Sequence, residues 1–244
     1  MAIENNVSVI SITDHDTCDV YNDELYDYIN KKNIKIITGV EISTKYKGFG
    51  IHILGYNFDI NNRELKDKLS ILRNARHKYL YDVSIKLNEL GYVLDVLKLG
   101  KIKAVTKAHI AYDIVNNPIN YDRLLEEFNH IPNSGEFIET IMNENCKAYV
   151  KKESITPIEA SSLIKNAGGK VVLAHPVAYI HEDNLNDNDI LKLIKDIQVD
   201  GIESNYIYID RNNNKINDSK KWQKVAKDNN LIATIGSDFH NKDG

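Results

Sequence analysis

Short apolar runs alternate with amphipathic stretches along most of this chain. Runs with strand character, rich in Val and Ile, cover residues 7–13, 35–43, 49–56, 170–174, 201–205 and 231–235. Segments with helical spacing separate most of them, at 23–32, 156–167, 189–197 and 218–228. Strand-like and helix-like segments in alternation predict an α/β fold built on a parallel sheet or barrel. The helix at 156–167 is the best marked: Thr156 stands at the N-cap position, Pro157 at the first helical position and Glu159 three residues after the cap. Gly168-Gly169 then stops it.

The middle of the chain breaks this rhythm. From Asn61, read as a cap with Glu64 following, Leu65, Leu69, Leu72, Tyr79, Val83 and Leu87 recur at helical spacing until Gly91. Shorter helical stretches follow near 106–115 and 121–128. Residues 61–151 therefore read as a helical insertion, dividing the chain into a first part at 1–60, the insertion, and a second part at 152–244. Asn-rich stretches at 184–189 and 212–217 read as solvated loops or turns.

Composition narrows the setting. A chain of 244 residues, 42% of them hydrophobic, can bury a large core. Its net charge of −4 gives no overall basic signature for duplex nucleic acid, although a local Lys/Arg cluster can still hold a phosphate. Two cysteines, Cys18 and Cys146, are too few for a disulfide framework, and the N-terminal residues lack the basic and apolar regions of a signal peptide. No apolar run approaches the ~20 residues that span a bilayer. A reducing cytoplasm is the expected compartment, with no membrane partner.

The chemistry sits where the apolar runs end. The first leads into Asp14-His15-Asp16, the second into Glu41, the fourth into His175 and the last into Asp238-Phe239-His240. In parallel α/β folds the loops after the strand C-termini converge, so residues distant in sequence meet there. Imidazole and carboxylate ligands without thiolate favour Mn, Zn, Fe or Mg in a catalytic site over a structural zinc site. Taken singly, each residue has an ordinary explanation. His52 between Ile51 and Ile53 suits a hydrogen-bonded core histidine, Asp14 or Asp16 a helix cap, Glu41 a strand-end ion pair, and His175 before Pro176 a strand terminus. Asp238 and His240, two apart on extended chain, point the same way. His77, His130 and His181 read as surface or structural residues.

Five motifs occur in order: Thr13-Asp14-His15-Asp16, Gly39-Val40-Glu41, His52-Ile53-Leu54-Gly55, Leu173-Ala174-His175-Pro176 and Gly236-Ser237-Asp238-Phe239-His240. Together they resemble the PHP (polymerase and histidinol phosphatase) family over essentially the whole chain. With the helical insertion and Ala148-Tyr149-Val150, they are most similar to its bacterial branch of nucleotide phosphatases and RNA-trimming exonucleases. The resemblance implies a distorted (β/α)7 barrel and two or three divalent metals, manganese first, with zinc, iron or magnesium as the other candidates. It makes His15, Glu41, His52, His175, Asp238 and His240 the metal ligands, Glu41 bridging, and gives His175 or His240 the task of protonating the leaving group. The implied activity is hydrolysis of phosphate esters of nucleotides or short single-stranded oligonucleotides through a metal-activated hydroxide.

The insertion offers candidate substrate contacts. Arg73 and Arg76 lie at i and i+3, and Lys107-Ala108-His109-Ile110-Ala111 resembles a family segment that usually reads Arg-Pro-His-Ile-Ala, which makes Arg73, Arg76, Lys107 and His109 phosphate-binding candidates. Lys107 puts a point charge where Arg would offer a bidentate fork. Ordinary solvated helix charges explain the same residues equally well. The family's opening strand with its His-x-His pair does not appear, so the expected barrel lacks its first strand, as in a truncated gene product. A catalytically impaired fragment, a histidinol-phosphatase-like enzyme and a metal-dependent amidohydrolase are the alternatives.

Overall fold

Each of the six apolar runs carries a strand in the computed structural model, which describes residues 7–32, 34–102, 105–182, 185–210 and 214–237. In chain order come β1 (Val9–Ser11), α1 (Asp23–Asn30), β2 (Lys35–Ile37), β3 (Gly39–Tyr46), β4 (Phe49–Tyr56) and the long α2 (Arg63–Glu89). Then follow α3 (Val96–Leu99), α4 (Lys107–Val115), α5 (Tyr121–Phe128), α6 (Ser134–Phe137), α7 (Pro157–Asn166), β5 (Lys170–Leu173), α8 (Pro176–His181), α9 (Asp187–Ile197) and β6 (Gly201–Asn205). A small antiparallel hairpin, β7 (Tyr208–Ile209) with β8 (Lys215–Ile216), precedes α10 (Ser219–Asp228) and β9 (Ile232–Ile235). The chain divides into two compact units, residues 1–69 with 154–244 and residues 70–153.

The first unit is a mixed α/β fold around a five-stranded sheet of order β3-β4-β5-β6-β9, with β1 and β2 paired in parallel beside it in sequence. A parallel sheet or barrel was the expectation, and β3, β4 and β5 depart from it: β4 runs antiparallel to both neighbours. The cause is the two-residue turn Lys47-Gly48, whose φ angles of 50° and 95° are both positive. This is the conformation of a tight hairpin turn, and two residues cannot hold the crossover that a parallel pair needs. The pairs β5–β6 and β6–β9 are parallel, each joined through helices as the alternation predicts.

Buried Val40, Ile42, Ile51, Ile53, Val171, Leu173 and Ile202 form the sheet's contribution to the core. Helix α7 packs on this sheet at Gly55, where a β-carbon would fall 2.9 Å from Ile164 Cγ1. It begins as predicted: Thr156 Oγ1 accepts from the Glu159 amide at 3.2 Å, and Glu159 Oε2 accepts from the Thr156 amide at 2.7 Å. Helix α9 starts two residues earlier than predicted because Asn186 supplies its cap, with Asp189 returning the bond. Residues 215–216, read as part of a solvated loop, pair instead as β8.

The second unit is helical. Its core gathers Tyr79, Val83, Leu87, Tyr92, Ile110, Ile114, Leu124, Phe137 and Ile141. Asn62, not Asn61, caps α2, accepting from the Leu65 amide at 3.0 Å, while the Asn61 amide donates to Asp59. Four local features escaped the periodicity: the single turn of α3, a 3-10 turn over Pro118–Asn120, the short α6 and a π-helical turn over Ile138–Met142. Among the described residues no helix is long and apolar enough to cross a membrane.

Candidate metal centre

The path from β1 to its loop sets the first side chain. Val9, Ile10 and Ser11 pair with Lys35, Ile36 and Ile37, and the same parallel register reappears at His15 opposite Glu41. The Glu41 amide donates to the Asp14 carbonyl at 3.2 Å, and the Asp16 amide donates to the Glu41 carbonyl at 2.8 Å. Asp16 holds a left-handed φ of 53°, which Asp tolerates better than most residues. Its buried carboxylate accepts from the Ser43 amide at 2.8 Å, tying the loop to β3 two residues beyond Glu41.

His52 arrives from β4. Its direct partner in the ladder is Ser43, so Glu41 is its diagonal neighbour on one face of the sheet, within reach of a long side chain. His175 follows β5, whose parallel neighbour β6 and antiparallel neighbour β4 bring it to the same end. Three other segments thus deliver three imidazoles to the carboxylate that β3 carries. Glu41 Oε1 lies 2.8 Å from His52 Nδ1 and 3.2 Å from His175 Nε2, and Glu41 Oε2 lies 3.7 Å from His15 Nδ1. The facing nitrogens of His52 and His175 are themselves 3.3 Å apart. One ligand atom from each of His15, Glu41 and His52 falls within 4.8 Å of the others.

The electrostatics follow from burial. Glu41 is 6% exposed. Burial pushes its carboxyl up, and the surrounding imidazoles, His52 first and then His175 and His15, more than reverse this and hold it well below the usual carboxylate range. An ionised buried carboxylate with imidazole nitrogens crowded around it is a donor set suited to a borderline divalent cation. The residues present therefore fit the metal centre that their types imply.

Several supporting residues were not singled out in the sequence. Tyr179, on α8, accepts from the His52 amide at 2.9 Å and sets its ring 5.3 Å from that of His175. Tyr206 places its ring 5.6 Å from His175. Glu203, on β6, is buried and accepts from the His175 amide at 2.9 Å. Glu203 stands at the third position of β6 as Glu41 does in β3, inside its apolar run; the tyrosines carry no spacing signal. Asp238 and His240 lie outside the described residues.

The candidate phosphate contacts belong to the second unit. Arg76 is 4% exposed and donates to the Val105 carbonyl at 3.2 Å, while Arg73 is half-buried. Lys107 donates to Asn143 Oδ1 at 2.9 Å. His109 Nδ1 accepts from the Thr106 amide at 3.1 Å, closing a capping box at the start of α4. Of the three histidines read as structural, His130 pairs with Glu136 at 2.9 Å and His181 with Asp218 at 3.3 Å; His77 is half-buried on α2.

No family model matches the chain. It is 31% identical over 244 residues to a 5′-3′ exoribonuclease of Haemophilus influenzae, an alignment covering 98% of this chain and 81% of the relative. The chain belongs to the PHP family of metal-dependent phosphoesterases. Another relative, the 3′,5′-nucleoside bisphosphate phosphatase of Chromobacterium violaceum, is 23% identical over 96% of this chain and 77% of its own length. Two solved structures share the fold. A Bifidobacterium adolescentis protein assigned as a metal-dependent phosphoesterase superposes with a TM-score of 0.74 at 22% identity, over 100% of this chain and 81% of its own. An amidohydrolase from Chromobacterium violaceum, with bound sulfate and no metal, reaches 0.77 at 22% identity, over 98% and 79%.

Proposed function

We propose that this PHP protein hydrolyses phosphate esters of nucleotides or short single-stranded oligonucleotides, using two or three divalent metals, manganese foremost. The convergence of His15, His52 and His175 on the buried Glu41 carries the reading, since nothing in core packing requires three imidazoles around one carboxylate. Asp238 and His240 complete the proposed ligand set. When bound, the metals activate water and neutralise charge on the phosphoryl oxygens.

The chain's own groups have separate tasks. Glu41 supplies fixed negative charge at the centre of the site and, by its two oxygens, can serve two cations at once. His52 presents its Nδ1 to Glu41 Oε1 and His15 its Nδ1 to Oε2. A proton for the leaving alkoxide would come from His175 or from His240. Arg73, Arg76, Lys107 and His109 remain the candidates for substrate phosphate within a helical insertion at 61–151, and the first unit's strands form part of a distorted (β/α)7 barrel. Two cysteines in 244 residues, too few for a disulfide framework, accord with a cytoplasmic setting.

Protein loaded with Mn²⁺ and assayed in parallel on a nucleoside 3′,5′-bisphosphate, a short 5′-phosphorylated RNA and histidinol phosphate tests this. Release of phosphate or mononucleotide from the first two is expected. Turnover of histidinol phosphate alone, or none from protein carrying stoichiometric metal, overturns the reading.

A further inference from the structure

β3 and β4 carry, and β5 leads into, a side chain already assigned to the metal centre, Glu41, His52 and His175, and β6 has none so assigned. Its counterpart is Glu203. The carboxylate is 6% exposed, and Oε2 accepts the His175 amide proton at 2.9 Å. On its other side the backbone of Gly236 presses against the same group: a β-carbon at 236 would fall 1.6 Å from Glu203 Oε1 and 2.4 Å from Cδ. The register between β6 and β9 shifts between Glu203 and Asn205, an irregularity of the kind that re-aims a side chain at a sheet's end. One carboxylate therefore touches the chain at the ends of both strands that flank β6. The hydroxyl of Tyr56 reports the same neighbourhood: burial pushes it up first, and the charges of Glu203 and then Glu41 push it further.

We infer that Glu203 is a positioning residue, whose carboxylate fixes the backbone at His175 and packs against Gly236 so that the His175 imidazole is presented to Glu41 and His52. The proposal rests on the metal-centre reading of those side chains. A buried carboxylate is costly unless its oxygens are satisfied, and the His175 amide is a strong, fixed donor that would itself be orphaned without it. What matters is then the reach of the side chain rather than its charge. Gln preserves the reach and a carbonyl acceptor while dropping the charge; Asp preserves the charge and shortens the reach by one methylene.

The test compares Glu203→Gln and Glu203→Asp in the full chain by two readouts, hydrogen exchange of the His175 amide without metal and Mn²⁺ affinity by calorimetry. Glu203→Gln is expected to keep the amide protected and Mn²⁺ affinity within about threefold of the parent; Glu203→Asp is expected to lose protection and weaken Mn²⁺ binding by about 10-fold or more. The reverse order, or an Asp variant equal to the parent in both readouts, overturns the inference. If Glu203→Asp does not fold, Gly236→Ala takes its place: it drives a methyl into the carboxylate and is expected to lower His175 protection, and unchanged protection overturns the inference. A parent protein that takes up no Mn²⁺ refutes the metal centre instead, and the amide comparison still decides the positioning role.

Discussion

His52 Nδ1 lies 2.8 Å from Glu41 Oε1, across two antiparallel strands whose register makes the residues diagonal neighbours. The same oxygen is 3.2 Å from His175 Nε2, so Glu41 is the point at which both sheet geometry and charge converge. Replacing it with Gln keeps the shape and removes the charge. Glu41→Gln is expected to weaken Mn²⁺ binding by at least ~10–100-fold, the range found when a group ordering a metal site is lost. Calorimetric titration checks it, and an unchanged affinity would remove Glu41 from the centre.

Acid should destabilise the metal-free protein through the same carboxylate. The Glu41 carboxyl is held well below its ordinary value of 4.5 in the folded state, burial opposing and the three imidazoles prevailing. A depressed folded pKa means that the unfolded chain binds the proton first. Its stabilising contribution is complete above the ordinary value and is lost as pH falls through the folded one. Thermal melts from pH 7 down to pH 3 are expected to show this loss only below the ordinary value, and Glu41→Gln should flatten that part of the profile. An equally steep acid limb in the variant would assign the effect to other carboxylates.

Tyr179 gives a prediction about support rather than ligation. Its hydroxyl accepts the His52 amide proton at 2.9 Å from a buried position. Tyr179→Phe leaves that donor without its acceptor, at a cost of about 1–3 kcal/mol. For a domain of this size each 1 kcal/mol corresponds to roughly 2–4 °C in Tm. A melting temperature equal to the parent's would mean that the contact contributes nothing.

The strand runs and the principal helices were legible because periodicity and caps are local, as at Thr156-Pro157. The Lys47-Gly48 hairpin was not, because Lys at the first turn position lacks the Asn-Gly or Asp-Gly signature and only the backbone reveals its positive φ. His15, Glu41 and His175 were legible as residues that follow apolar runs and His52 through its motif, and the sheet brings them together. Glu203 lies inside its run, in the middle of β6 before Ser204-Asn205 with no histidine beside it, and its role depends on the close approach of Gly236, which only tertiary structure shows. In the insertion, Arg76 and His109 looked like helix-surface groups; packing buries the first and the capping of α4 engages the second.

The capping box at Thr156 separates stability from chemistry. Its hydroxyl accepts from the Glu159 amide, and Glu159 returns bonds to the Thr156 amide at 2.7 Å and hydroxyl at 2.9 Å, satisfying two donors that the first turn of α7 would otherwise leave open. Helix α7 in turn packs on β4 at Gly55, three residues beyond His52. Thr156→Ala should cost about 1 kcal/mol, the usual size of a lost N-cap, and lower Tm by roughly 2–4 °C. Mn²⁺ affinity should stay at the parent value, because the cap lies at the far end of α7 from the Ile164 contact and touches none of the imidazoles. Paired melts and Mn²⁺ titrations decide the matter: a parallel loss of metal affinity would show that α7 transmits its stability to His52, and that the site depends on the helix layer as well as on the strand ends.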